Sequence, residues 1–354
     1  MGLSWPEVLA RLSRRESLST AEAEETLKVV LSGEATPVQV GAFLSLLHAK
    51  GETAEEVTGL ARAMVEAAVP CPLDEADAEL AVDLVGTGGD RLSSINVTTL
   101  AALITAGSGV PVCKHGNRAA SSSVGTADVL EALGVAIELG PEGVARCVAT
   151  AGMGFCFAQR FHPAMRYVGP VRKELGVPTV FNFLGPLINP ARTRRQLVGV
   201  SDPAMAPIMA GVFGATGSRH SLIVHADDGL DELSVTSPAD VLEVRGDGAG
   251  AFEVRQWRVD PQALGFPPST LAELRGGNAA FNAGVIRSVL EGERGARRDI
   301  GILNAAAALV VAGRVEDLES GLGLAADSID DGRAVAVLDA LIATSRDELR
   351  RQPG

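Results

Sequence analysis

The chain has 354 residues, 46% of them hydrophobic and 21% charged, and a formal net charge of -13. That is ordinary globular composition, enough for one large domain or two unequal ones with a sizeable core. The acidic field repels polyanions and only 4% of residues are aromatic, which argues against a nucleic-acid surface; any bound phosphate is expected to be small and held locally.

Cys71, Cys113, Cys147 and Cys156 show neither CxxC pairing nor a histidine at ligand spacing, so they read as buried thiols rather than zinc ligands or a disulfide framework. The first residues, MGLSWPEVLARLSRRES, hold no apolar run of signal-peptide type, and Pro6 stands where a myristoylation motif wants Ser or Thr. Nowhere do about 18 uninterrupted apolar residues occur. A cytoplasmic protein without a membrane partner is expected.

In chain order, the first 70 residues read as short helices. Start signals recur at Ser4 with Glu7, Ser19 with Glu22, Thr36 with Pro37, and Thr53 with Glu56; Gly33 and Gly51 are stops. Val40, Phe43, Leu44 and Leu47 share one helical face, and Pro70 and Pro72 close the segment. From AVDLVG onward, β-branched runs (VPVCK, GFCFA, RQLVGV, SLIVHA) alternate with helical stretches, which predicts an α/β domain with a mostly parallel sheet. Residues 162–190 read as a helix and a turn-rich loop that returns to the helical domain. DIGILNAAAALVVAG and DGRAVAVLDALIATSRDEL predict long helices on the sheet.

The stretch DLVGTGGDRLSSINVTT spends three glycines, an aspartate and several hydroxyls directly after a strand. Gly86, Gly88 and Gly89 at the carboxyl end of a parallel strand let backbone amides converge on an anion, and Asn96, Thr98 and Thr99 open a helix whose positive end favours phosphate. Asp90 repels a bare phosphate, so it implies sugar hydroxyls, a cation or an amide cluster. A phosphorylated sugar satisfies all of these; alone, the turn reads equally well as a glycine-rich loop with a good cap. Neither GxxxxGK[ST] nor a dinucleotide GxGxxG fingerprint is present.

KHGNRAASSSVGTADVLEALG places Lys114, Asn117, Arg118, Ser121, Ser122 and Ser123 before the next helix, a donor set for a polyphosphate. In DDGLDELSV, Asp231 and Glu232 follow a strand and offer oxygen ligands of the kind Mg2+ takes, although an acidic turn of this sort is most often plain surface. Arg172, in HPAMRYVGPVRKELG, has the planar cation suited to a carboxylate, while His115 and His162 lack a Ser or Cys partner at a triad spacing.

GTGGD with INVTT, KHGNRAASS, HPAMRYVGPVRKELG, VFNFLGPLINP and the GLDEL turn, in this order, resemble the anthranilate phosphoribosyltransferase family, from SGEATPVQVGAFLSLLHAKGET to GGNAAFNAGVIRSVL. The resemblance implies a small helical domain (1–73 with roughly 162–190) joined to a larger α/β domain (74–161 with 191–354), an architecture shared with pyrimidine nucleoside phosphorylases, and a homodimer through the helical domain. It implies transfer of phosphoribosyl from phosphoribosyl diphosphate to the amine of anthranilate, with Mg2+, in tryptophan biosynthesis.

Carried onto this sequence, Gly86, Gly89, Asp90, Ser94, Asn96, Thr98, Thr99, Lys114, Asn117, Arg118, Ser121, Ser122 and Thr126 hold phosphoribosyl diphosphate. Gly86, Asn117 and Arg172 contact anthranilate, and Thr98, Asp231 and Glu232 ligate the metal, with no residue assigned as general base. The chain departs from the family pattern at Asn278 and Phe281, where acidic residues are frequent, and keeps a hydroxyl at Thr98 where Ser is frequent. Two rivals predict otherwise: a nucleoside phosphorylase-like enzyme, which needs less than a metal-assisted diphosphate site, and a noncatalytic nucleic-acid-binding relative, which calls for a basic surface and eroded metal carboxylates.

Overall fold

The computed structural model describes residues 4–119 and 124–352; Ser121, Ser122 and Ser123 lie outside the described residues. Four helices open the chain: α1 (Trp5–Ser13), α2 (Thr20–Ser32), α3 (Pro37–Lys50) and α4 (Ala54–Ala67). Each starts at the anticipated cap. At α3 the Gln39 amide donates to Thr36 Oγ1 (3.3 Å) while Gln39 Oε1 accepts from the Thr36 amide (2.9 Å), which satisfies two otherwise unpaired donors. Gly33 ends α2 in the left-handed region (φ 82°), where a side chain would be strained. Val40, Phe43, Leu44 and Leu47 are buried, and Trp5 meets the Phe43 ring edge-on at 6.3 Å.

After Pro72 the chain alternates: α5 (Glu75–Leu80), β1 (Val82–Gly86), α6 (Val97–Gly107), β2 (Val112–Gly116), α7 (Thr126–Leu133), α8 (Pro141–Ala151), β3 (Met153–Phe157), α9 (Ala158–Phe161). Residues 162–190 hold α10 (Gly169–Leu175) flanked by short 3-10 turns. Then follow β4 (Arg195–Gly199), α11 (Met205–Ala215), β5 (His220–Ala226), β6 (Ala239–Gly246), β7 (Phe252–Val259), α12 (Ala279–Leu290), α13 (Ala296–Ala312), α14 (Leu318–Asp330) and α15 (Arg333–Arg351). The sheet order is β3-β2-β1-β4-β5-β6-β7, with β1 to β5 parallel and β6 and β7 antiparallel at one edge.

Strand alternation splits the sheet's apolar side chains between two cores. Leu84, Leu197 and Leu222 pack with α6 and α13 on one face. Val85, Val198 and Ile223 face the other way, into a second core shared with α2, α3, α4 and α11. Val168, Val171, Val180, Phe181, Phe183 and Leu184 of the 162–190 excursion join that second core. The connecting segments are tied to one another: the Val69 amide donates to Phe161 O (2.8 Å) and the Cys71 amide to Pro190 O (3.1 Å).

Candidate functional site

β1 and β4 are neighbours although β2 and β3 intervene in sequence, so the chain reverses direction across the sheet between them. In open α/β sheets the crevice at the carboxyl ends of such strands receives ligands. Gly86 and Gly199 end the two strands side by side, and a Cβ on either would collide with Asp231. Glycine is required there because the chain at Asp231 lies directly over both. Gly88 (φ 69°) and Gly89 (φ 91°) then turn through the left-handed region, and the Gly88 amide donates to Asp231 Oδ2 at 2.7 Å.

Three carboxylates gather around this turn. Asp231 and Glu232 are 8% and 7% exposed. Burial, reinforced by the charge of Asp90, pushes Asp231 up to about 7. Glu232 is pushed well above the usual range by burial and by Asp231, against the opposing effects of Lys114 and the Thr98 amide. Asp90 is raised by burial while its side chain hydrogen-bonds Asp231. Buried, mutually repelling oxygens are what a hard cation relieves.

Among the described residues no three carboxylates bring oxygens within 4.8 Å of one another. Mg2+ usually takes one or two carboxylates and completes its shell with waters and substrate phosphate, and Asp231 and Glu232 offer two buried ones. The donor set therefore fits the ion at Asp231 and Glu232.

Lys114 lies deeper than a phosphate-facing donor. It is fully buried on β2, its Nζ donates to Leu84 O, and burial lowers its pKa against the charges of Asp83 and Glu232. Asp83, unremarked in the sequence reading although it interrupts the apolar strand AVDLV, is fully buried. It accepts from the His115 amide (3.1 Å) and from Asn189 Nδ2 (2.7 Å), and burial raises it to about 6. Lys114 thus lies in the field of two buried acids without contacting either within ion-pair distance.

Asn96 precedes α6 without capping it; its Oδ1 accepts from Asn282 Nδ2 at 2.9 Å, and Asn282 Oδ1 accepts from the Gly277 amide at 2.8 Å. Asn278 caps α12 by accepting from the Phe281 amide (2.9 Å), so it has a structural task, and Asn282 is the residue that reaches the site loop. Ser94 forms a bridge with Arg275. Thr98 and Thr99 are buried, and among the described residues Thr99 Oγ1 has no partner.

Asn117 and Thr126 follow the end of β2, the strand beside β1. Asn117 Oδ1 accepts from the Arg118 amide (2.8 Å), and Thr126 packs close to Gly116. Arg118 is turned onto α7, where it pairs with Asp128 (3.0 Å) and Glu131 (2.9 Å), both of which raise its pKa. As a phosphate donor it must leave those carboxylates.

Arg172, on α10, lies over the Phe181 ring at 5.4 Å and reaches Asn182 Oδ1 at 3.5 Å. Burial lowers its pKa and, among the described residues, no carboxylate pairs with it. The same segment reaches β2 at Gly185 O, 3.1 Å from His115 Nδ1. His115 and His162 pack with ring centroids 5.1 Å apart; burial lowers them to about 3 and about 4, so both are neutral at pH 7. Among the described residues His115 Nε2 has no hydrogen-bond partner. A cavity of 560 Å3 lined by Arg62, Arg192 and Arg194 lies instead by the start of β4; Asn189 lines it, but none of the expected substrate or metal residues does.

The chain matches the family models described as glycosyl transferase family, helical bundle domain, over residues 6–68, and glycosyl transferase family, a/b domain, over residues 78–335. It is 51% identical to the anthranilate phosphoribosyltransferase of Salinispora arenicola over 344 residues (96% of both chains). It is 47% identical to that of Chloroflexus aurantiacus over 343 residues, 97% of this chain and 99% of the relative. Among solved structures, anthranilate phosphoribosyltransferase from Thermus thermophilus superposes with a TM-score of 0.88 at 40% identity, over 96% of this chain and 99% of the other. The Saccharomyces cerevisiae enzyme in complex with PRPP and Mg superposes with a TM-score of 0.86 at 26% identity, over 97% and 98%. With its helical bundle, its α/β sheet and a glycine turn held over paired carboxylates, the chain belongs to the anthranilate phosphoribosyltransferase family.

Proposed function

We propose that the chain transfers the phosphoribosyl group of phosphoribosyl diphosphate to the amine of anthranilate, releasing diphosphate, as a step of tryptophan biosynthesis. The observation that carries this reading is the hydrogen bond from Gly88 to Asp231, which joins a phosphate-type glycine turn to a carboxylate pair suited to Mg2+. Asp231 and Glu232, with the hydroxyl of Thr98, whose amide hydrogen-bonds Glu232, would hold the ion, which when bound would neutralise charge on the departing diphosphate.

The amides of Gly89 and Asp90 and the positive end of α6 attract phosphate oxygens, Gly86 leaves room beside them, Asp90 orients ribose hydroxyls, and Ser94, Asn96 and Thr99 line the same loop. Asn117, Arg118 and Thr126, in the segment after β2, contact the diphosphate; Ser121 and Ser122, expected to do the same, lie outside the described residues. Lys114 acts from below, contributing positive potential toward Asp83, Glu232 and the diphosphate. Breaking the bond from C1 to diphosphate leaves positive charge on the sugar, so stabilising the leaving group is the main task. The aromatic amine is uncharged near neutrality and needs alignment rather than deprotonation. Arg172 supplies that alignment by gripping the anthranilate carboxylate, with Gly86 and Asn117 lining the ring's path.

On the same reading, residues 1–73 with about 162–190 form a helical domain, and 74–161 with 191–354 an α/β domain. The packing of the excursion into the helical core supports this. Exposed Val38 (80%) on α3 and Val177 (53%) after α10 support a homodimer through the helical domain. A cytoplasmic location fits; no described helix is long and apolar enough to cross a membrane.

The test follows the fluorescence of anthranilate with purified protein and phosphoribosyl diphosphate. Loss of signal that requires Mg2+ supports the reading; no loss, with a nucleoside split by phosphate instead, overturns it.

A further inference from the structure

Three cysteines from distant parts of the chain meet where the connecting segments cross. Cys71 lies in the linker after α4, Cys113 on β2 and Cys156 on β3. All three are buried, and their sulfurs lie within 4.8 Å of one another. The Cys113 and Cys156 sulfurs are 3.7 Å apart. Metal–sulfur bonds of about 2.3 Å set sulfur–sulfur edges of about 3.8 Å in a tetrahedral site. That pair already has the spacing, and Cys71 needs to approach by no more than about 1 Å.

The backbone around these sulfurs is fixed. The Cys71 amide donates to Pro190 O (3.1 Å), and Asn189 Nδ2 donates to Cys113 O (2.8 Å). Pro141 O, 3.8 Å from the Cys71 sulfur, offers an oxygen for a fourth position. Alternation along β2 puts Cys113 and Lys114 on opposite faces, so the cluster is separate from the carboxylate site. The Cys71 thiol is held down to about 5, chiefly by hydrogen bonds from Cys113 and then Cys156, so one sulfur is already nucleophilic toward a metal.

We propose that Cys71, Cys113 and Cys156 form a thiolate site for one divalent thiophilic ion of the Zn2+ type, which ties the linker between the two cores to β2 and β3. Three thiolates around a divalent ion leave one net negative charge, whereas a monovalent ion leaves two in a buried setting, and the smaller charge costs less to bury. Binding breaks the S–H bonds of Cys113 and Cys156, forms three metal–sulfur bonds and releases two protons per ion where Cys71 is ionised. No electron transfer is involved.

The test titrates the reduced, metal-free full-length protein with Cd2+ in excess Mg2+, reading the sulfur-to-metal charge-transfer absorption and Tm. The expected result is saturation at one equivalent, a higher Tm, and loss of both effects in Cys71→Ser but not in Cys147→Ser. Circular dichroism and the anthranilate assay establish that Cys71→Ser is folded; should it not be, Cys113→Ala takes its place. No absorption band, a band that survives removal of Cys71 or Cys113, or a Cys113–Cys156 disulfide that persists in reductant overturns the proposal.

Discussion

The Gly88 amide donates to Asp231 Oδ2 at 2.7 Å across 143 residues of chain. That bond joins the turn after β1 to the turn after β5, and the glycines beneath it leave room for Asp231 alone. A Cβ at Gly86 would strike both Oδ2 and Cγ of Asp231, the latter at 3.1 Å. Gly86→Ala is expected to displace Asp231, cost about 1–3 kcal/mol of stability and weaken Mg2+-dependent binding of phosphoribosyl diphosphate at least about 10-fold, the equivalent of 1.4 kcal/mol. Urea unfolding and calorimetric titration check the two parts.

Arg172 is a partly buried cation over Phe181 with no carboxylate partner among the described residues. Arg172→Ala is expected to raise the anthranilate KM by roughly 10- to 100-fold, the loss of a charge-assisted pair of about 1.5–3 kcal/mol, while the KM for phosphoribosyl diphosphate changes little. Steady-state kinetics in both substrates decides; lost diphosphate binding with intact anthranilate binding contradicts the role.

His162 is buried and lowered to about 4, so the folded protein binds fewer protons there than the unfolded chain between pH 4 and 6.5. Its contribution is fully present above the unfolded value of about 6.5 and is lost as pH falls toward 4. The loss reaches on the order of 3 kcal/mol once the folded side chain is itself protonated, below about pH 4. Unfolding free energy at pH 7 and pH 5 should therefore differ less in His162→Gln than in the parent; equal slopes would contradict the assignment.

Asn282 bridges the Gly277 amide and Asn96 Oδ1. Asn282→Ala removes both bonds from the part-buried Gly277 amide and Asn96 Oδ1 and is expected to cost about 0.5–1.5 kcal/mol for each. The KM for phosphoribosyl diphosphate should rise as the loop before α6 loosens. A kcat loss at unchanged KM would argue against this positioning role.

Much of this was legible in the sequence because the signals were local. Ser4, Ser19, Thr36 and Thr53 each announce a helix through a partner three residues on, and β1 to β5 follow from short β-branched runs. β7 was hard to read because FEVRQWRV is mostly exposed on the edge strand, whereas β6, ADVLEVRG, buries alternate residues and did carry a strand pattern. At the site, the glycines and paired acids were readable as types. The burial of Lys114 was not, since Asp83 and Glu232 lie far away in sequence. Nor was the pairing of Arg118 with Asp128 and Glu131, which appears only once α7 turns back on the loop. The cysteines likewise carried no spacing signal because three separate segments bring them together.

The most direct measurement is a calorimetric titration of phosphoribosyl diphosphate, with and without Mg2+, into the parent protein and Asp231→Asn. The account predicts that Mg2+ tightens binding to the parent by about 100-fold or more, equivalent to 2.7 kcal/mol, and that Asp231→Asn abolishes the enhancement while remaining folded. An enhancement of the same size in the folded variant would contradict it.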